Sequence, residues 1–256
     1  MTIGAFYQCW KHPAATIQVI RQFRTFYPDA TIYLVSDNGY DYTELAKQYN
    51  CIYEHSTLSA NCALFSSIDQ VRVWLERLTR AMNKIKEDWC MLLEDDLYIE
   101  GKYDENLLQA ELNGYKEGNY LWKNTEMFIK LFNPTTKSPL NHGGFGGCVL
   151  NVPFYKYVLS KNPIKYLQFM WEHTRELSNE GHMKYANRYI TWGEAEARNT
   201  DIILSILCYI FGGSVGDFVE VRQITDSNPY AVVIHNFKKL YNQPPEEKDK
   251  HLVKIT

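Results

Sequence analysis

Over its first hundred residues the chain alternates short apolar runs with helical patterns, and this alternation restricts the fold more than any other feature of the sequence. Ile3 to Gln8 reads as a strand that stops at Lys11-His12-Pro13, because proline disfavours helical geometry in the residue before it. Ile17, Ile20, Phe23 and Tyr27 then recur at helical steps, which predicts a helix ending near Pro28-Asp29. Thr31 to Val35 reads as a second strand, closed by the turn formers Ser36-Asp37-Asn38-Gly39. A second helix carries Tyr42, Leu45, Ala46 and Tyr49, and Cys51 to Glu54 can form a third strand. The clearest helix covers Ile68 to Lys86, with Val71, Leu75, Leu78, Met82 and Ile85 on its stripe and Ser67 and Gln70 as a capping box. Trp89 to Leu93 is nearly continuous in hydrophobicity and too short for an ordinary helix, so it reads as a buried strand. Such alternation predicts an α/β fold with a mostly parallel sheet and crossover helices.

The buried strand runs directly into Glu94-Asp95-Asp96. In open parallel sheets ligands bind beyond the C-terminal strand ends, where Lys11, Asp37 and Asp96 are expected to lie. Side chains alternate along an extended chain, so Glu94 and Asp96 point to one side and Asp95 to the other. Three adjacent carboxylates repel one another unless a cation or donors compensate, and hard divalent ions take carboxylate oxygens readily. The turn therefore predicts a metal and phosphate site.

Further along, Met127 to Phe132 reads as a strand, and Asn141 to Asn151 holds four glycines beside another, which permits close approach of a ligand or of another chain segment. Helices are expected from Pro153 to Leu159, from Ile164 to Leu177 and from Thr200 to Phe211, the last stopping at Gly212-Gly213. Ile190 to Asn199 reads as a charged loop, Val219 to Ile224 and Ala231 to Ile234 as strands, and the charged tail after Pro244-Pro245 as frayed. The chain of 256 residues suits one domain, and a formal charge of -3 gives no basic footprint for non-specific nucleic-acid binding. Six cysteines stand singly, without the close pairs of zinc or redox motifs, and are expected to be reduced and buried. No signal peptide or bilayer-spanning run is evident, which predicts a cytoplasmic protein.

The order of these parts resembles the GT-A fold glycosyltransferases, which transfer a sugar from a nucleotide-sugar donor. The residues that carry the resemblance are Ser36-Asp37-Asn38-Gly39, Leu93-Glu94-Asp95-Asp96, Gly143-Gly144-Phe145-Gly146-Gly147, Asn199-Thr200-Asp201, and His235 with Lys238. It implies a single GT-A-like (Rossmann-like) domain, with a mixed, mostly parallel sheet flanked by helices. Residues 1–100 then form the nucleotide-sugar-binding half, 101–245 the acceptor-binding half and 246–256 a tail.

The acidic stretch looks like that fold's DxD motif with Glu in the first position. This implies Asp96 as a ligand of Mn2+ or Mg2+, Glu94 as its helper and His235 as the residue completing the metal shell. Lys238 is then a phosphate contact, with Lys11 a weaker candidate. Asp37 resembles the acid that meets the base or ribose, Arg72 is placed for a diphosphate or base contact, and Tyr7, Asp95, Gly143 and Gly144 join the donor-binding set.

Asp201 matches the catalytic base of inverting members, with Glu194 and Glu196 as alternatives, whereas a retaining enzyme needs no such base. The implied donor is a UDP-sugar ahead of a GDP-sugar, and the acceptor a glycan or glycoconjugate. A nucleotidyltransferase shares the architecture, but Gln8-Cys9-Trp10-Lys11-His12-Pro13 lacks the glycines of its phosphate loop. A non-catalytic carbohydrate-binding protein on the same fold is the alternative from another class.

Overall fold

The computed structural model describes residues 3–60, 64–116, 118–173, 182–185 and 188–255, with 182–185 and 188–192 described by backbone only. Its first half follows the sequence pattern: β1 (Ile3–Cys9), α1 (Pro13–Phe26), β2 (Ile32–Asp37), α2 (Thr43–Gln48), β3 (Ile52–Ser56), α3 (Ile68–Lys84) and β4 (Trp89–Leu93). Pro13 opens α1, where its missing N–H costs nothing. The Ser67 hydroxyl caps α3 by accepting from Gln70 N at 3.3 Å. The Gln70 side chain reaches back to Ser66 rather than to Ser67, so the capping box is shifted by one residue.

The second half supplies β5 (Tyr98–Ile99), β6 (Leu112–Gly114), α4 (Lys123–Phe132), β7 (Val149–Asn151), α5 (Val152–Ser160), α6 (Ile164–His173), β8 (His182–Tyr185), β9 (Arg188–Thr191), α7 (Trp192–Glu196), α8 (Thr200–Ile210), β10 (Val215–Asp217), β11 (Val221–Gln223) and β12 (Val233–His235). The main sheet has seven strands in the order β10-β6-β7-β4-β1-β2-β3. Strands β3, β2, β1 and β4 are parallel, β7 runs antiparallel to both β4 and β6, and β10 is parallel to β6.

Strict side-chain alternation divides the core between the two faces. Ile3, Ala5, Tyr7, Met91 and Leu93 pack with Ile17, Ile20 and Phe23 of α1. Phe6, Cys90 and Leu92 face Val71, Leu75 and Leu78 of α3 and the apolar residues of α8. A smaller sheet, β11-β12-β5, pairs Ile234 with Tyr98 and Val233 with Ile99, and so brings the end of β12 beside the turn that leaves β4.

Three expectations are overturned. Met127 to Phe132 lies in helix α4, because Asn124, Thr125, Phe128 and Ile129 form the buried stripe and leave Met127 and Leu131 exposed. Ile190 to Asn199 is no loop, since β9 runs to Thr191 and α7 follows at once. The charged tail is docked: Leu252 and Val253 are buried, Asp249 pairs with Arg21 at 2.9 Å, and Asp41 and Lys254 form an antiparallel bridge.

Helix α6 is described to His173, and the rest of the expected helix to Leu177 lies outside the described residues. Cys9, Cys90, Cys148 and Cys208 are free and buried and Cys51 is free and half-buried, while Cys62 lies outside the described residues.

Candidate active site

The C-terminal ends of β1 and β4, the N-terminus of α8 and the segment after β12 enclose a cavity of about 420 Å³. Strand β4 ends at Leu93, and its three acids follow in a turn in which Leu97 N donates to the Glu94 carbonyl at 3.3 Å. Glu94 follows the α3 side of the sheet, whereas Asp95 turns to the α1 side, where its Oδ1 accepts from the Tyr7 hydroxyl at 2.6 Å and the Thr16 hydroxyl at 3.1 Å. Burial pushes the Asp95 carboxyl up to about 6 despite these donors. Tyr7 is fully buried, so its hydroxyl holds Asp95 and does not face the cleft.

Glu94, Asp96 and His235 converge, with one ligand atom from each lying within 4.8 Å of the others. His235 Nε2 is 3.2 Å from Glu94 Oε2 and 3.5 Å from Asp96 Oδ1. Its Nδ1 lies 3.2 Å from Gln223 Oε1, which also accepts from Asn236 Nδ2 at 3.1 Å. An amide oxygen accepts only, so Nδ1 carries the proton and Nε2 faces the carboxylates. Asn236 has φ of 67°, a left-handed turn that asparagine tolerates, and the chain returns Lys238 to the cleft.

The electrostatics agree with a cation site. Asp96 is raised by burial and then by the charge of Glu94. Burial opposes charging of His235, but the hydrogen bond and charge of Glu94, aided by Asp96 and Asp201, override it and raise the imidazole. Asp96 Oδ1 is buried and accepts no hydrogen bond, an unusual state for a carboxylate oxygen unless a cation meets it. Two carboxylates and an imidazole suit Mn2+ or Mg2+, with the imidazole favouring the softer Mn2+.

Asp201 also lines the cleft, and burial followed by the charge of Glu94 pushes its carboxyl up to about 7. Capping of α8 falls to Asn199, whose Oδ1 accepts from Asp201 N at 2.8 Å, so the Asp201 carboxylate is not needed as the cap. The glycine loop brings these parts together. A Cβ at Gly146 would lie 2.8 Å from Glu94 Oε2, and one at Gly144 would overlap the Asp201 carbonyl oxygen. These close approaches are to other chain segments, and Gly144 itself also lines the cleft.

Other candidates are placed elsewhere. The fully buried Asp37 pairs with Arg77 and accepts from Ala60 N at 2.7 Å, and its carboxylate does not line the cavity. Arg72 is exposed and lies 3.8 Å from Asp69, whereas Arg77, one and a half turns on, points inward and also donates to Gln8. Glu194 pairs with Arg198 at 3.0 Å and Glu196 accepts from Trp122 N at 3.0 Å, both buried away from the cleft. Lys11 is exposed over the Trp10 and Tyr40 rings, and Gly143 donates its N–H to Ser205.

Sequence reasoning missed Arg77 and Gln223. An arginine on the apolar stripe of α3 signals a buried anion, whereas nothing local marks Gln223.

No protein-family model matches the sequence, and no curated protein is similar to it. Solved structures match its shape. A galactosyltransferase, LgtC, solved with donor and acceptor sugar analogs, has a TM-score of 0.52 at 13% identity, covering 98% of this chain and 100% of that one. The bifunctional glycosyltransferase WbbM, solved without ligand, has a TM-score of 0.51 at 12% identity, covering 99% of this chain and 48% of that one. The chain has the GT-A-like glycosyltransferase fold.

Proposed function

We propose that this chain is a metal-dependent glycosyltransferase that moves a sugar from a nucleoside-diphosphate-sugar to a hydroxyl of a glycan or glycoconjugate. The observation that carries the reading is the convergence of Glu94, Asp96 and His235 beside Asp201, with one buried Asp96 oxygen that accepts no hydrogen bond. Glu94, Asp96 and His235 hold Mn2+ or Mg2+, which when bound neutralises charge on the leaving nucleoside diphosphate. Lys238 meets the same phosphates as a point charge. Gln223 keeps the imidazole lone pair turned toward the metal position.

Asp201 takes the proton of the acceptor hydroxyl through its carboxylate, and an affinity for protons near neutrality suits a general base. The reaction is then an inverting one. Residues 1–100 provide most of the donor side and 101–245 the acceptor side, and a UDP-sugar is favoured over a GDP-sugar. The test is release of nucleoside diphosphate from a panel of UDP- and GDP-sugars with Mn2+. Turnover of at least one donor that stops on chelation is expected, and no turnover of any donor by folded protein contradicts the reading.

A further inference from the structure

Between Met127 and Trp171 the chain carries five lysines and no aspartate or glutamate, although its net charge is -3. The acids bounding this stretch are engaged, Glu126 with Leu140 N at 2.6 Å and with Ser138, and Glu172 with Gln168 at 2.8 Å. Within it, α4 exposes Met127 and Leu131, one turn apart, to 53% and 62%. The next residue, Phe132, lies 4.9 Å from the ring of Tyr166, which lies 5.4 Å from Phe211, which lies 6.0 Å from the half-exposed Tyr157. Lys165 Nζ sits 4.8 Å from the centre of the Tyr166 ring and Lys161 Nζ 5.0 Å from that of Tyr157. Phe132, Tyr166, Phe211 and Tyr157 thus form a chain of ring contacts, with lysine ammonium groups over two of the rings and the exposed Met127 and Leu131 on the helix that supplies Phe132.

We propose that this face, formed by α4, the α5–α6 turn and the end of α8, docks on an anionic lipid surface. Lysines draw in anionic headgroups, tyrosines sit at headgroup level, and Met127 and Leu131 find a favourable place at the acyl boundary. A nucleic acid would use the lysines but would gain little from the two aliphatic side chains, and this decides between the two anionic partners. The face lies outside the cleft, and the inference stands whatever the cleft catalyses.

The experiment is co-sedimentation of the full chain with vesicles of phosphatidylcholine, alone or mixed one to one with phosphatidylglycerol, at low and high salt. Binding to the mixed vesicles at low salt, weak binding to phosphatidylcholine alone, and release by salt are expected. Replacing two lysines in Lys161→Gln/Lys165→Gln should lower partitioning about 25-fold, at roughly fivefold for each charge. Leu131→Gln should lower it several-fold with the melting temperature unchanged, because Leu131 is exposed. Failure of the folded wild type to bind the mixed vesicles, or wild-type partitioning of both variants, overturns the proposal. So does binding of polyuridylate as tight as that of the vesicles and indifferent to Leu131→Gln.

Discussion

Adding one methyl group at Gly146 should weaken metal binding without removing the fold. The new Cβ would stand 2.8 Å from both Cδ and Oε2 of Glu94, where carbon contacts ordinarily begin near 3.5 Å, so the carboxylate must retreat by about 0.7 Å. That Oε2 is the atom 3.2 Å from His235 Nε2, and its retreat opens the triad. Glu94 is long and its side chain 35% exposed, so it can swing toward solvent at a cost of about 1 kcal/mol. Loss of the preset geometry should weaken Mn2+ binding about ten- to a hundredfold.

Gly144→Ala is the contrast, because its Cβ would meet the backbone carbonyl of Asp201 at the start of α8, which has no such freedom. It should cost about 1–3 kcal/mol of stability. Mn2+ calorimetry and thermal melts on the two variants separate these effects. Wild-type Mn2+ affinity in a folded Gly146→Ala protein would refute the placement of Glu94 in the metal shell.

Asp201→Asn should lower transfer by about two to four orders of magnitude while donor affinity holds, checked by single-turnover kinetics; near-wild-type transfer would remove the base assignment. The raised Asp201 carboxyl makes the folded protein bind more protons than the unfolded chain, so its stabilising effect is present at acidic pH and lost as pH rises through about 7. Melts of metal-free protein should therefore fall less steeply with rising pH in Asp201→Asn than in wild type. Deleting 246–256 should cost about 3 kcal/mol, measured by urea unfolding, because Leu252 and Val253 are buried. Arg77→Met should cost about 3–5 kcal/mol by stranding the buried Asp37, and Asp37→Asn in the same chain should recover part of it.

The sheet and its crossovers were legible because Val71, Leu75, Leu78 and Met82 keep helical spacing and Trp89 to Leu93 is bounded on both sides. Helix α4 was not, since half of its buried stripe is Asn124 and Thr125, which leaves Met-Phe-Ile-Lys-Leu-Phe looking like an isolated apolar run. Strands β6 and β10, of three residues each, carry too little pattern to be seen. The docking of the tail was hidden for another reason: Leu252 and Val253 stand among charges whose partners, Arg21 and Asp41, are more than two hundred residues away. At the site, Asp95 is separated from Glu94 and Asp96 as strand alternation predicts, although the three acids stand in a turn closed by Leu97 N on the Glu94 carbonyl, where the Tyr7 and Thr16 hydroxyls hold Asp95 apart. The pairings of Asp37 with Arg77 and of His235 with Gln223 depend on which strand ends become neighbours, and a single sequence does not contain that.

The most direct measurement is calorimetric titration of UDP and GDP into wild type and Asp96→Asn, each with Mn2+ and with EDTA. Asn keeps the size of the residue and removes the buried charge, so folding should persist. The expected result is binding of at least one nucleotide by wild type only with Mn2+, and none by the variant. Nucleotide binding that survives EDTA, or that Asp96→Asn retains at wild-type strength with Mn2+, would contradict a metal-bridged donor site at Glu94, Asp96 and His235.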